Sequence, residues 1–162
     1  MREIVCNTSP LQYLHQLGLL HLLSSLAGRV VVPSAVVREL SAGRAQGVDL
    51  PVPEELEWIT IRTPLSAPVI PLVVDLGAGE TQVLALAVES GNAEVLLDDA
   101  LARRVAAMLG LAFRGTLGLL LDAKKAHLVT AVEPLLDRLK LLGFRLSHDT
   151  QCGVLELAGE MP

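Results

Sequence analysis

Four acids spread along the chain are its best candidates for chemistry: Glu39, Glu80, Asp98 and Asp99. The two aspartates follow the apolar run 95–97, which suits a buried strand, and precede apolar residues at helical spacing. In an open α/β sheet this junction lies at the carboxyl edge, where ligands bind. Carboxylates gathered there repel one another unless a cation joins them. The structural alternative is that Asp98 or Asp99 only caps the following helix.

The types of these residues indicate which cation and which reaction. Oxygen ligands without cysteine or histidine partners favour Mg²⁺ or Mn²⁺ over Zn²⁺. The two cysteines, Cys6 and Cys152, are far apart and lack the spacing of metal ligands. A hard cation held by acids suits phosphodiester hydrolysis, because the metal activates water and stabilises the charge that develops on phosphate. No Ser–His–Asp or Cys–His arrangement is equally persuasive.

Short β-prone runs alternate with helical patterns along most of the chain. Strands are predicted at 4–6, 30–32, 58–61, 95–97 and 112–114. Helices are predicted at 10–23 with a break near Gly18, and at 33–40, 80–91, 101–109, 117–126, 131–142 and 147–158. Segment 41–53 is expected to be a mobile connector, and segment 63–71 an extended loop. The alternation predicts a parallel sheet covered on both faces.

This order of elements brings further polar residues toward the same edge of the sheet. Asn7 lies at the tip of the first strand, and Glu39 falls in the second turn of the helix after the second strand. Glu80 opens the next helix after two glycines, which lack the Lys-Ser or Lys-Thr of a phosphate-binding loop. The alternatives are that Glu39 is a solvated helix residue and that Glu80 complements the helix dipole.

Composition and charge limit the remaining classes. The chain has 162 residues, of which 51% are apolar, enough for one domain with a buried core. A net charge of −5 weighs against a protein that mainly coats nucleic acid, but it allows an enzyme with a local basic rim. The N-terminus lacks a signal-like segment, and no apolar stretch suits a membrane span. We therefore expect a cytoplasmic protein with no membrane partner.

Five segments in order resemble the PIN-domain superfamily and, within it, the PIN-like group DUF3368 of bacteria and archaea. They are Asn-Thr-Ser-Pro-Leu (7–11), Val-Pro-Ser-Ala-Val-Val-Arg-Glu-Leu (32–40), Leu-Gly-Ala-Gly-Glu (76–80), Leu-Leu-Asp-Asp-Ala-Leu-Ala-Arg-Arg-Val-Ala (96–106) and Gly-Thr-Leu-Gly-Leu-Leu (115–120). The resemblance covers roughly residues 3–127. It implies a three-layer α/β/α domain over residues 1–162, with a short, mostly parallel sheet of order 3-2-1-4-5. Helices within 131–159 are expected to pack on it.

The resemblance also assigns roles to residues. Glu39, Glu80 and Asp98, with Asp99 as the weaker choice for the third acid, match the family's catalytic and metal-binding acids. The family's first strand ordinarily ends in Asp, where this chain has Asn7. The Asn7 carbonyl can still ligate Mg²⁺ or Mn²⁺, but it brings no charge and so weakens binding.

Three further residues are assigned to the substrate. Thr8 and Ser9 match hydroxyls that could touch the metal's water or the RNA. Arg103 matches a basic residue that could contact phosphate. The alternative for Arg103 is an i,i+4 pair with Asp99.

The function implied by the resemblance is that of a metal-dependent endoribonuclease, acting as the toxin of a toxin–antitoxin pair. RNA would be its transient substrate, an antitoxin its protein partner and a homodimer its assembly. The alternative is a catalytically inactive PIN-like module that dimerises and binds an antitoxin. A phosphate-accepting receiver domain ranks far lower, because Asn7-Thr8 does not supply the acidic pair it needs after the first strand.

Overall fold

The computed structural model describes residues 2–66 and 76–161. Its strands are β1 (Glu3–Cys6), β2 (Arg29–Pro33), β3 (Ile59–Arg62), β4 (Ala93–Leu96) and β5 (Ala112–Arg114). Its helices are α1 (Thr8–Gln16), α2 (Leu22–Leu26), α3 (Ser34–Ala45), α4 (Ala78–Ser90), α5 (Ala100–Met108), α6 (Thr116–Lys125), α7 (Glu133–Leu141) and α8 (His148–Leu157), with a 3₁₀ turn at Pro53–Glu55. The predicted loop 63–71 lies partly outside the described residues.

The five strands form one parallel sheet in the order β3-β2-β1-β4-β5, which confirms the predicted fold class. Val5 of β1 lies between Val31 of β2 and Val95 of β4. Nearly all residues of these three strands are buried, although successive side chains of a strand point to opposite faces. Both faces of the sheet are therefore covered, as the three-layer arrangement requires.

The position of β1 and β4 determines where ligands can bind. The chain passes from β1 outward to β3, then returns across the sheet to β4 beside β1. The last residues of these strands, Cys6 and Leu96, are aligned, and the N–H of Asn7 donates to the Leu96 carbonyl at 3.1 Å. Connections thus leave β1 and β4 in opposite directions at their carboxyl ends. This is the switch point at which open α/β sheets bind ligands.

Leucine dominates the core. All twelve of the largest fully buried side chains are leucines, which fits a chain with 2% aromatic residues. The same buried cluster includes Leu136 and Leu139 from α7, and Val154 and Leu155 from α8. The two C-terminal helices therefore share the core that supports the sheet.

The prediction of a mobile connector at 41–53 is wrong. Helix α3 continues through the first five of these residues. Gly43 leaves room for Leu50, whose Cδ1 would lie 2.3 Å from an added Cβ, and Leu50 is buried against the helix. The Arg44 side chain then donates to the Pro51 carbonyl. A return of the chain onto the helix end therefore holds this segment in place, a long-range effect that its Gly- and Pro-rich composition does not reveal.

Within residues 2–66 and 76–161, no helix is both long enough and apolar enough to cross a membrane.

Candidate functional site

Asn7 lies at the centre of the carboxyl edge, directly after β1. Its side chain is buried, with 5% of the residue exposed. The side-chain carbonyl Oδ1 has no hydrogen-bond donor among the described residues. A buried polar atom without a partner is costly, so it requires a ligand, an ion or a specific role. Asn7 Oδ1 is therefore a buried acceptor without a donor at the carboxyl edge of the sheet.

Asp98 is fixed at the end of the adjacent strand by three donors. Ser9 Oγ donates to Asp98 Oδ2 at 3.0 Å, and Thr116 donates through its N–H at 2.7 Å and its hydroxyl at 2.7 Å. Thr116 is fully buried at the start of α6. These bonds hold the orientation of the carboxylate. The hydroxyl of Ser9, which was predicted to touch the metal's water or the RNA, donates to Asp98 in this structure.

Glu39 is held in a similar way on α3. The Thr8 hydroxyl donates to Glu39 Oε2, and the N–H of Gly79 donates to Glu39 Oε1 at 3.0 Å. Thr8, like Ser9, thus contacts a carboxylate. Glu39 and Glu80 therefore meet on the same side of the molecule, because Gly79 precedes Glu80 in the first turn of α4.

Two glycines permit these close approaches. A Cβ on Gly79 would lie 2.7 Å from Glu39 Oε1, and a Cβ on Gly115 would lie 3.0 Å from Asp98 Oδ1. Both distances are too short or too tight for a side chain. Gly79 in the first turn of α4 and Gly115 before α6 therefore let the carboxylates reach the backbone, which explains these glycines without a phosphate-binding loop.

Asp99 acts as the cap of α5. Its side chain accepts a hydrogen bond from the N–H of Ala102 at 3.0 Å. The capping interpretation of the acid pair thus describes Asp99, while Asp98 makes the bonds to α1 and α6. Asp99 is exposed and still lines the same cavity as Asp98, so it remains close to the candidate site.

Glu80 carries the electrostatic strain of the site. Partial burial and the negative charge of Asp99 raise the pKa of Glu80, and Glu39 adds to the increase. A backbone hydrogen bond with Gly77 offsets part of it. The charged form is thus less favourable in the folded protein than in a free glutamate. A cation or a shared proton would relieve this strain.

One cavity of about 550 Å³ connects these groups. It is lined by Asn7, Ser9, Glu80, Asp98 and Asp99, together with Tyr13 and the turn between α7 and α8. Glu39 and Thr8 form their pair beside it and are not among the lining residues. Across residues 2–66 and 76–161, no three histidine, cysteine, aspartate or glutamate side chains are grouped as a ready-made metal site. The acids instead face local hydrogen-bond donors, which lowers their mutual repulsion.

Arg103 lies next to Asp98 in an adjoining cavity. Its guanidinium carbon is 5.2 Å from the centre of the Phe113 ring, within cation–π range. Its Nε is buried without a hydrogen-bond partner among the described residues. The alternative pair with Asp99 is wrong: the ion pairs of the described residues do not include it. The aromatic ring of β5 positions the arginine instead.

Two features of the site were not predicted from the sequence. The first is that Thr116 donates to Asp98. The signal for it in the sequence is the place of Thr116 in a Gly-Thr pair that follows β5. Phe144 and Arg145 reach both cavities from the turn between α7 and α8. The Gly143 that ends α7 marks a turn, but nothing local indicates that the turn meets the sheet edge.

Comparison with known families and structures agrees with this architecture. The family model DUF3368, described as a PIN domain, matches residues 3–160. Among solved structures, a PilT N-terminus domain protein from the hyperthermophilic archaeon Sulfolobus solfataricus P2 is similar, with a TM-score of 0.56 and 20% sequence identity over 75% of this chain and 92% of that chain. At that identity the likeness concerns the fold alone. No curated protein matches the chain.

Proposed function

The chain belongs to the PIN-domain family DUF3368, and on that basis we propose that it is a metal-dependent endoribonuclease. The single observation that carries the proposal is the buried Asn7 Oδ1, which has no donor and faces a cavity shared with Glu80 and Asp98. A neutral carbonyl beside carboxylates is a donor set for a hard divalent cation. The fit is to Mg²⁺ or Mn²⁺, since no sulfur or imidazole is among the residues that line this cavity.

In this proposal Asn7, Glu80 and Asp98 hold the cation, and Glu39 approaches from α3. When bound, the cation supplies a more acidic water and neutralises charge on the scissile phosphate. The protein's own groups do the rest. Ser9 and Thr116 keep the Asp98 carboxylate oriented.

The remaining acids have distinct parts. Burial and the nearby acids raise the pKa of Glu80, and the cation that it would help to hold would relieve this strain. Asp99 sustains that raised pKa by its charge while it caps α5. Thr8 keeps Glu39 turned toward the N-terminus of α4.

A second candidate function is a catalytically weakened module that binds an antitoxin. Two observations favour it. Asn7 brings no charge to the site, and the described residues contain no ready-made group of three acids. Affinity for Mg²⁺ depends on the charge of its ligands, so a natural amide in this place weakens metal binding. The toxin role belongs to the ribonuclease, whereas the antitoxin partner is common to both candidates.

The homodimer is part of the same proposal. The surface expected to form it comprised the apolar residues of the hairpin 10–27 and of the final helices, but most leucines of the hairpin are buried in the core. The C-terminal helices do carry exposed apolar side chains, with Leu141 88% and Leu157 72% exposed. We propose that the dimer uses this surface. Light scattering at tens of micromolar should report a dimer, and Leu141→Glu should shift the population to monomers.

The nuclease proposal is tested by cleavage of a labelled single-stranded RNA in Mn²⁺, in Mg²⁺ and in EDTA. Cleavage should require the cation and should fall by about 100-fold in Asp98→Asn, the size of effect seen when one transition-state-stabilising group is removed. Asp137→Asn, on the exposed face of α7, is the matched control and should cleave as the parent does. Cleavage that persists in EDTA, or that Asp98→Asn leaves unchanged, would contradict the proposal.

A further inference from the structure

We propose that the cavity beside the acid site binds an unpaired nucleotide of the RNA, with its base stacked on Phe113 and its phosphate at Arg103 and Arg145. This deepens the proposed function and depends on it for the identity of the ligand. The cavity, called the base cavity below, is lined by Asp98, Arg103, Phe113, Arg114 and residues of α6, the α7–α8 turn and α8. Its volume is about 410 Å³, which is within the range that accommodates a nucleotide.

The base cavity is continuous with the acid site. Asp98, Phe144 and Arg145 line both cavities. A strand whose scissile phosphate lies at Asp98 must therefore place a neighbouring nucleotide in or beside the base cavity. Because Asp98 stands between the two, the base cavity holds a nucleotide next to the one that reacts.

The aromatic residues of the chain are concentrated here. The sequence contains only four: one Trp, one Tyr and two Phe. Three of them, Tyr13, Phe113 and Phe144, line the two cavities. Tyr13 and Phe144 pack edge to face at 5.0 Å, so they form part of the wall. Phe113 is 38% exposed on the edge strand β5, so part of its ring remains open to a stacking base although Arg103 lies over it. Nucleobases stack on such rings with little regard to sequence.

The arginines of the base cavity fall into two groups: one is paired with acids of the protein, and the others are available to a ligand. Arg114 is neutralised by Glu94, at 3.1 Å, and by Asp122. Arg103 and Arg145, by contrast, take part in no ion pair within the described residues. Arg103 also has the buried Nε without a partner, next to the Phe113 ring. Two available guanidinium groups beside an open aromatic ring fit a phosphate and a base.

The two cavities differ in charge, and this difference explains why the strand would be held at the base cavity and cleaved at the acid site. The acid cavity carries Glu80, Asp98 and Asp99 with Arg145, whereas the base cavity carries Asp98 with Arg103 and Arg145. A polyanion is repelled by the first in the absence of a cation and attracted by the second. The base cavity thus supplies affinity for the strand, and the acid site supplies the chemistry. A duplex, whose bases are already stacked and paired, offers no free base to Phe113.

The test measures fluorescence anisotropy of two labelled single strands of eight nucleotides in EDTA, where the proposed cleavage is off. One strand is oligouridine RNA, and the other is an abasic ribose-phosphate strand of the same length and charge. Phe113→Leu keeps an apolar side chain but removes the ring, and Phe113→Trp restores a ring. Arg145→Gln removes one cation, and Arg138→Gln, exposed on α7 and outside both cavities, is its matched control.

We expect Phe113→Leu to weaken oligouridine binding about tenfold, to weaken abasic binding much less, since only the contact of the ring with Arg103 is lost there, and to be rescued by Phe113→Trp. Arg145→Gln should weaken both strands and reduce the slope of log affinity against log salt by about 0.7, as for one phosphate contact to a single strand, while Arg138→Gln should not. Equal losses on both strands in Phe113→Leu, or no loss, would overturn the subsite. If these variants behave as expected but no cation supports cleavage, the nuclease proposal fails and the subsite stands. If Mn²⁺-dependent cleavage occurs while Phe113→Leu binds as the parent does, the subsite fails and the nuclease proposal stands.

Discussion

Glu80 and Glu160 are two glutamates that the fold treats in opposite ways. Glu160, near the C-terminus, accepts hydrogen bonds from Lys124 Nζ at 2.8 Å and from the N–H groups of Val132 at 2.7 Å and Glu133 at 2.9 Å. Burial alone would raise the pKa of Glu160, but these bonds outweigh it and hold the pKa below its usual range. Glu80, in contrast, has its pKa raised by burial and by nearby acids.

The difference separates a structural region from a functional one. The Glu160 carboxylate accepts from all three of these donors, and it thereby joins α6 to the start of α7. Around Glu80 the acids repel one another, and Asn7 Oδ1 has no partner within the described residues. A protein retains such unfavourable groups where a ligand compensates them. The comparison therefore predicts that removing the Glu80 carboxylate harms function, while removing the Glu160 carboxylate harms stability.

The largest expected effect is that of Glu80→Gln. RNA cleavage should fall by about 100-fold or more, because a charged ligand of the proposed cation is lost. The free energy of unfolding at pH 7 should rise by about 1 kcal/mol, since like charges are removed from the site. Cleavage assays and thermal unfolding measure the two effects. Glu57→Gln, an exposed acid outside both cavities, should change neither.

Glu160→Gln should do the reverse. The amide replaces a carboxylate that accepts three hydrogen bonds, and losing a charged acceptor should cost about 2 kcal/mol of unfolding free energy. For a chain of this size that lowers the Tm by about 6 °C. Cleavage per folded molecule should be unchanged. If cleavage fell in parallel with that of Glu80→Gln, the division into two regions would be wrong.

The pH dependence of stability should differ in sign between the same two variants. The lowered pKa of Glu160 adds stability that is present above the ordinary glutamate pKa of about 4.3 and lost as pH falls through its folded value. The raised pKa of Glu80 has the opposite consequence, because stability is lost as pH rises from about 4.3 through its folded value. Urea unfolding between pH 3.5 and 7 should therefore show two differences from the parent in the free energy of unfolding. The loss in Glu160→Gln and the gain in Glu80→Gln should both become smaller toward acid pH.

A smaller effect is expected at Gly79. The Cβ of Gly79→Ala would lie 2.7 Å from Glu39 Oε1, so the carboxylate must move away from the start of α4. Cleavage should fall by about tenfold, as when a group is displaced from its reactive geometry. Stability should change by less than about 1 kcal/mol, since alanine favours the helix and Glu39 is exposed. Gly77→Ala, which meets no atom within 4 Å, is the control.

Much of the fold could be predicted because its determinants are local. Strand β5 matches the predicted 112–114, and α8 begins within one residue of the predicted 147, where Ser147 caps it by accepting from the N–H of Thr150 at 3.1 Å. Strand β3 lies at the edge of the sheet as predicted. Alternating β-prone and amphipathic runs, with caps at their ends, are readable without knowledge of distant contacts.

The parts that could not be predicted depend on contacts between distant segments. The continuation of α3 requires Leu50 to fold back against Gly43. The distinction between Asp98 and Asp99 depends on which of them the backbone at the end of β4 turns toward Thr116. The arrival of Arg145 at the site depends on how α7 and α8 pack. None of these leaves a pattern in the local sequence, so the sequence identified the acids but not the groups that hold them.

The most direct test of the central claim is thermal unfolding of Asn7→Asp with and without Mn²⁺. Aspartate is almost the same size as asparagine, so packing should hardly change. Without the cation the added charge beside Glu80 and Asp98 should lower stability by about 1 kcal/mol. With Mn²⁺ the sign should reverse, because the ion gains an anionic ligand and binds the native state more tightly, and RNA cleavage should rise with it. A melting temperature that shifts equally in parent and variant on adding Mn²⁺ would show that Asn7 does not face a metal site.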